Sequence, residues 1–597
     1  MLAFRQIYLW TAFLLMGISC LLSAEQEGYS YQVQFQCQDD QEIENFLKSA
    51  SQLCALQDSP PPTAAALRRR AEEDVPNMLK ALQSKAYYNA KVHFSINYTL
   101  DPALVLLCVE TGPIYPFSSF KIIPENGSPP CAFDFKTIDS KDLGICIGRP
   151  ALPSIIVDAE DILLDLLEKR GYPLAKLCKR EVIADQSTHS ISVIFHVDSG
   201  PLASFGKTDI IGDEDVLPEF FRRKIAWQEG ERYNPERIVK TVNALEASGL
   251  FSSINITHDS EVQSDGSLPM HISIQEAKRR SIGLGVGYAT DLGPGLNAEW
   301  EHRNIRGMGE KVSIVANLWQ IKQEGFIRYL MPDFGHSGQD LIWLADVNRE
   351  KTKGFTESSA SFSGTIERQL TERLRVSYGA MFTLLHNSRS NNNREFNLFK
   401  LPLQLMWNKS NSLLDPTTGF TLHLRTTPSI QTLPPRFSYL THQCTVTAYQ
   451  PLDKKQRFVL AAKATWGSIW GSTKHSIPPS ERFYAGSDTL LRGYRYLSVS
   501  PLGHDHKPIG GRSLMVYSLE ARMRNNGPFG LVAFYDIGNV YSESFPQFGH
   551  KQLQSVGLGL RYHTPVGPLR IDLAFPLNRR HHLDSFFQLY FSIGQAF

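Results

Sequence analysis

From Lys278 to the last residue, a span of more than 300 positions, apolar side chains alternate with polar or small ones at a period of two. Ile282, Leu284, Val286 and Tyr288 alternate with Gly283, Gly285 and Gly287, and Val556, Leu558, Leu560 and Tyr562 with Gly557, Gly559, Arg561 and His563. Leu569, Ile571, Leu573 and Phe575 likewise alternate with Arg570, Asp572 and Ala574. Neighbouring side chains of a strand point to opposite faces, so the pattern predicts strands with one apolar face and one small or charged face. A soluble sandwich of this length would divide into domains, each burying its apolar face. Lipid accepts that face without division, and because backbone groups in lipid need partners, the sheet must close. A spanning strand takes about 9 to 11 residues and bacterial barrels use even numbers, which suits roughly 14 to 18 strands here. Sixteen antiparallel transmembrane strands are expected. At the end of the chain Phe587, Leu589, Phe591, Ile593 and Phe597 fall on one side and Gln588, Tyr590, Ser592, Gly594 and Ala596 on the other, with Gln595 breaking the apolar series. This predicts a final strand that ends on an aromatic residue.

Composition permits this reading and closes others. The formal net charge over 597 residues is +1, with 20% of residues charged, so no basic excess points to nucleic acid. A slightly polar mean hydropathy does not argue against a membrane, because the lipid-facing residues of a barrel are diluted by those facing inward. Arg5, the mostly apolar stretch Ile7 to Leu22 and the small-residue site Leu22-Ser23-Ala24 predict a secretory signal over residues 1–24. Gly17-Ile18-Ser19-Cys20 would be the lipoprotein alternative, but glycine stands three places before Cys20, where leucine is usual. Beyond residue 24 no apolar run approaches the ~20 residues of a spanning helix. Removal of the signal leaves Cys37, Cys54, Cys108, Cys131, Cys146, Cys178 and Cys444. An oxidising compartment allows pairs such as Cys131 with Cys146, and buried free thiols are equally compatible.

The region before Lys278 repeats itself. Gly112-Pro113-Ile114-Tyr115-Pro116-Phe117, running on to Ile122, returns as Gly200-Pro201-Leu202-Ala203-Ser204-Phe205, running on to Ile210, a step of 88 residues. Three times a helical pattern ends in glycine or an aromatic and is followed by a strand: Ala81–Tyr88 then Ala90–Ile96, Ile155–Tyr172 then Ala175–Val182, Ile238–Phe251 then Ser253–Thr257. Ile155, Ile156, Ala159, Ile162, Leu163, Leu166 and Leu167 form one face of a helix opposed by Asp158, Glu160, Asp161, Asp165 and Glu168. Each unit reads strand, helix, helix, strand, strand, a small α+β domain with helices over one face of a sheet. The expected boundaries are 29–113, 114–201 and 202–277, with the barrel over 278–597.

Three segments of the second half carry a resemblance. The run Ser480-Glu481-Arg482-Phe483-Tyr484-Ala485-Gly486-Ser487-Asp488-Thr489-Leu490-Leu491-Arg492-Gly493-Tyr494 resembles the loop signature of the superfamily of outer-membrane barrels that assemble and secrete proteins. Ala533 to Tyr541, with Asp536 and Gly538, resembles its aspartate-glycine strand motif, and Thr564-Pro565-Val566-Gly567-Pro568 its penultimate segment; Asp415-Pro416-Thr417-Thr418-Gly419 matches a further turn. Ser487 departs from the pattern, since a second glycine is common there, and the first repeat is cysteine-bearing and diverged. The repeats resemble POTRA domains, of order β-α-α-β-β. Three of them favour the TamA family within a superfamily that includes BamA and two-partner secretion transporters. The resemblance implies insertion or secretion of unfolded outer-membrane client proteins and a TamB-like, inner-membrane-anchored partner bound at the first POTRA-like domain. It also implies a bacterial outer-membrane location with the N-terminal domains in the periplasm.

Chemistry gives the loop a partner independently. A guanidinium in a barrel interior stays charged and needs a planar acceptor, which a carboxylate supplies with two parallel hydrogen bonds. Arg492 with Asp536 is the expected pair, as the resemblance also implies, and Glu520 a second acceptor, with Leu491, Gly493 and Tyr494 letting the loop turn and pack against the wall. Barrel closure removes sheet edges. A seam between a first strand weakened by Gly283, Gly285 and Gly287 beside Ile282, and a last strand bearing Phe591, Ile593 and Phe597, is the expected place for an edge to open. No G-x-S-x-G elbow, Walker loop or HExxH points to an enzyme, and no metal site or cofactor is expected. His504-Asp505-His506 and His581-His582 read as loop residues. A passive channel or receptor with periplasmic docking domains is the rival from another class.

Overall fold

The computed structural model describes residues 28–37, 41–125, 133–289, 292–389, 392–525, 527–547, 549, 551–565 and 567–597. The signal segment 1–24 and Cys131 lie outside them. Two compact units are distinguished, one holding the chain to Asp209 and one holding Ser273–Phe597, with parts of the intervening region in each.

Three small sheets precede the large one and share one strand order. The first contains β1 (Tyr31–Cys37), β2 (Lys91–Asn97) and β3 (Ala103–Glu110), with β3 central, parallel to β1 and antiparallel to β2. Ala103, Val105, Leu107 and Val109 alternate into its core, where they meet Leu67, Ala71, Met78 and Leu82 of α3 (Ala64–Ser84). Before it come α1 (Gln41–Ala50) and the short α2 (Gln52–Ala55). The buried carboxylate of Asp74 accepts from the Ser51 hydroxyl at 2.5 Å and from Gln52 N at 2.9 Å, satisfying donors that open α2.

In the second domain, β4 (Phe117–Pro124), β6 (Ser190–Asp198) and β5 (Lys176–Asp185) take the same order. Ile156, Ala159, Leu163 and Leu167 of α4 (Pro153–Lys169) pack on Ile191, Val193, Phe195 and Val197. Among the described residues, a 3₁₀ turn, Phe135–Thr137, stands where the sequence repeat has its first helix. The third domain contains β7 (Ser204–Ile211), α5 (Pro218–Lys224), α6 (Pro235–Glu246), β8 (Phe251–His258) and β9 (Ser267–Glu276), again with the last strand central.

Seventeen strand segments, from β10 (Arg280–Ala289) to β26 (Gln588–Ile593), follow in chain order in one sheet. Their register is antiparallel throughout. Sixteen positions account for the seventeen segments, because β17 (Asn392–Lys400) and β18 (Leu403–Asn408) both lie between β16 (Leu374–Arg389) and β19 (Gly419–Gln431). The break falls at Pro402, which has no N–H to give a ladder. Sixteen antiparallel passes place the start of β10 and the end of β26 at the same end of the sheet. At that near end lie the turns 304–310 and 332–338; Leu217, just before α5, donates its N–H to Gly307 O at 2.8 Å, and Lys224 pairs with Asp333 at 2.7 Å.

The outward positions are those expected of a lipid face. Ile282, Leu284 and Val286 are 76%, 83% and 85% exposed, and Val556, Leu558, Leu560 and Tyr562 are also exposed, while Ser555 and Arg561 on the same strand are buried. Among the described residues no helix is long and apolar enough to cross a membrane. The last strand is shorter than the alternation predicts. It ends at Ile593, and Gly594 has φ +89°, a left-handed conformation that turns the chain out of the sheet. Phe597 therefore does not continue the outward face of Phe591 and Ile593. Its ring packs with Tyr449, Val459 and Ala461 on the inner side of the wall, and its carbonyl accepts from Arg522 at 2.8 Å.

Candidate functional site

The longest loop of the large sheet, residues 471–512, leaves β21 (Phe458–Trp470) at the far end and folds back into the bore before β22 (Ser513–Arg524). Two antiparallel bridges, Phe483 with Gly511 and Ala485 with Val499, close its base. Ala485, Leu491, Tyr494 and Val499 pack on the inward residues Leu514, Val516, Val540 and Leu553. Apolar burial thus fixes the loop against the wall before any ion pair forms. On the other side of the bore Lys400 pairs with Glu481, and Tyr496 donates to Glu350 at 3.4 Å.

Arg492 sits at the tip and is 1% exposed. Its backbone N–H and Nε both donate to Asp536 Oδ2 at 2.9 Å, and Nη2 donates to Oδ1 at 2.8 Å. This is the paired fork-to-carboxylate geometry, with a backbone bond added. Nη1 donates to Glu520 at 2.5 Å and reaches Asp572 at 3.5 Å. The Phe534 ring lies 3.6 Å from the guanidinium carbon, a cation–π contact on the face the carboxylates leave open. These acceptors come from inward positions of β22, β23 (Phe529–Tyr541) and β25 (Gly567–Pro576), so one loop residue ties three strands together.

Further charges complete the cluster. Arg522 pairs with Glu520 at 2.8 Å, and Arg561 of β24 (Leu553–Thr564) pairs with Asp572 at 2.5 Å. Arg561 and Arg570 are direct cross-strand partners on the inner face, and Arg570 pairs with Asp488 of the loop at 2.7 Å. Like charges opposite one another repel. Asp572 of β25 and Asp488 of the loop therefore allow two guanidinium groups to share the wall.

Gly493 has φ +88°, and a Cβ there would lie 3.1 Å from Ser555 Cβ. Its N–H donates to Tyr590 Oη at 3.0 Å, and that hydroxyl donates to Tyr494 O at 3.3 Å. Tyr494 in turn donates to Gln554 O at 2.9 Å. The structure thus brings Leu491, Arg492, Gly493, Tyr494, Asp536 and Glu520 into one buried cluster. Asp572 and Tyr590 join it without a role assigned from sequence. Asp572 lies four residues past the quoted Thr564–Pro568 segment, and its inward phase was the available signal.

The seam residues lie elsewhere. Cα atoms of β10 and β26 approach within 8 Å, but no ladder joins the two strands among the described residues. Gly283, Gly285 and Gly287 occupy the inner face of β10, and Phe591 and Ile593 face outward from the six-residue β26. Past the strand, Gln595 donates to Asp415 at 3.0 Å and accepts from Arg561 at 2.8 Å. Asp415 also pairs with Arg524 and, at 3.3 Å, with His563. The Asp415 turn thus braces the end of the last strand, a role that spacing alone does not reveal.

Residues 304–597 match the Omp85 superfamily domain, and residues 203–277 match a POTRA model described as a surface antigen variable number repeat. The outer membrane protein assembly factor BamA of Neisseria meningitidis serogroup B is 21% identical over 487 residues, 72% of this chain and 60% of the relative. BamA of Nitratidesulfovibrio vulgaris is 21% identical over 539 residues, 84% of this chain and 64% of the relative. The chain therefore spans somewhat under two thirds of the length of these two relatives. The crystal structure of BamA from Haemophilus ducreyi lacking POTRA domains 1–3 superposes with a TM-score of 0.66 at 19% identity, over 80% of this chain and 99% of that one. That likeness shows the fold: small POTRA sheets followed by a BamA-like barrel.

Proposed function

From a chain that joins an Omp85 superfamily domain to POTRA modules, we propose a bacterial outer-membrane factor that inserts or secretes β-barrel or autotransporter-type client proteins. The domains before residue 278 stand in the periplasm, and the barrel sits in the lipid bilayer. The observation that carries this reading is the seam: β10 and β26 lie side by side without a ladder among the described residues, so each offers a backbone edge that an incoming client strand can pair with. Three inner-face glycines give β10 little side-chain packing to resist separation. The arginine loop, tied to β22, β23 and β25, holds the last strands in place while the seam opens. POTRA sheet edges capture extended client segments through the backbone, which suits many clients.

Within this function we assign the TamA-like role, supported by three small sheets, with a TamB-like inner-membrane-anchored protein bound at the first. A cysteine pair introduced across β10 and β26 should abolish client insertion on oxidation, while the barrel still folds and reduction restores activity. Undiminished insertion by the oxidised protein refutes lateral opening. Affinity purification from detergent-solubilised outer membrane separates the subfamilies: a large inner-membrane-anchored partner supports TamA, and assembly lipoproteins support BamA.

A further inference from the structure

A second group of cations lines the bore, nearer its far mouth, and it is built differently from the arginine cluster. A cavity of about 720 Å³ is lined by Arg394, Lys474, Arg482, His475 and His504, with Asp505 the one carboxylate among the described lining residues. Phe396, Leu502 and Ile509 supply an apolar wall. Deeper in the bore, guanidinium groups meet the carboxylates of Glu520, Asp536 and Asp572. Here backbone carbonyls and a hydroxyl accept from the cations. Arg394 donates to His475 O at 2.8 Å and Lys474 to Ser542 Oγ at 3.2 Å. Arg482 is aimed by bonds to Ile477 O at 2.7 Å and Ile509 O at 2.7 Å.

Arg394, Lys474 and Arg482 against Asp505 leave the described lining with an excess of positive charge. Burial, and then repulsion from Arg482 and Arg512, outweighs attraction from Glu543 and holds the Lys474 ammonium below its usual pKa. The like charges are therefore close enough to feel one another. A walled cavity with charge of one sign concentrates counter-ions, and its volume is that of a small-ligand site.

We propose that this cavity binds a phosphate-bearing anion, either free or as the phosphorylated headgroup of a lipid, with Arg394, Lys474 and Arg482 as its contacts. Phosphate fits because it offers several acceptors to a guanidinium fork and an ammonium at once. The apolar wall accommodates the sugar or glycerol frame that carries it.

The test uses the full chain, in detergent and in lipid nanodiscs. Titration calorimetry with inorganic pyrophosphate should show saturable binding that weakens with added salt. The double variant Arg394→Ala with Lys474→Ala should lose affinity by about tenfold or more, while Lys474→Arg keeps it. Heat-modifiable migration on gels verifies that each variant is a folded barrel. In nanodiscs containing a phosphorylated glycolipid, greater lipid retention by the wild type than by the double variant assigns the site to a headgroup. Equal retention together with pyrophosphate binding assigns it to a free anion. No saturable pyrophosphate binding combined with equal lipid retention, or equal affinity in wild type and double variant, overturns the proposal.

Discussion

Arg492 shows what a buried charge costs and what makes it tolerable. A buried ion pair adds little net stability compared with an apolar replacement, but removing one partner strands the other. Arg492→Ala leaves Asp536 and Glu520 without their shared cation and should destabilise the barrel by about 3–5 kcal/mol, read as a lower denaturant midpoint in micelles. Arg492→Lys should recover only part of this, because an ammonium cannot bond both oxygens of Asp536 with a planar fork. Gly493→Ala should cost roughly 1–2 kcal/mol for a left-handed residue bearing a side chain, with the crowding at Ser555 added. The sequence makes this site legible where chemistry dictates a partner: a guanidinium in a bore demands a carboxylate, and Asp536 stands in the separate aspartate-glycine strand motif. It places Asp572 and Tyr590 on the inner face but does not join them to Arg492, because they come from two other strands and depend on where the loop comes to rest.

At the scale of elements, period-two alternation locates strands well and strand ends poorly. It places Val556, Leu558 and Leu560 outward and Arg561 inward, as the structure does. It also continues the last strand to Phe597, because a pattern of side-chain types does not contain a backbone dihedral. The left-handed Gly594 ends the strand and sends the tail into the bore. Gly594→Val should therefore release the tail, since a branched residue is strained there. A disulfide between cysteines placed at Phe597 and Val459 would report the tucked state: ready cross-linking is expected with Gly594, and slow or absent cross-linking with valine. Pro402 is the complementary case. Its missing N–H is legible as a ladder break, but only the register shows that the pieces on either side fill one position rather than two.

For the whole molecule, one physical choice organises the rest. A chain that presents an apolar face over sixteen strand positions can bury it in a second layer or leave it to lipid, and here Ile282, Leu284, Val286 and Leu558 are left exposed. The other face then becomes an interior, which is why arginines and carboxylates gather there in matched groups. The small domains follow the opposite logic: helices cover one face of each sheet, and the core is conventional. Their repeat is visible in sequence through the Gly-Pro turns.

The most direct test is a spin-label accessibility scan through β14 (Gln339–Lys351), from Trp343 to Arg349, in the full chain reconstituted in a bilayer. Labels at Trp343, Ala345 and Val347 should be relaxed by lipid-soluble oxygen, and labels at Leu344, Asp346 and Asn348 should be shielded from it, alternating residue by residue. A flat profile, or one with a helical period, contradicts a lipid-embedded cylinder with the arginine loop inside.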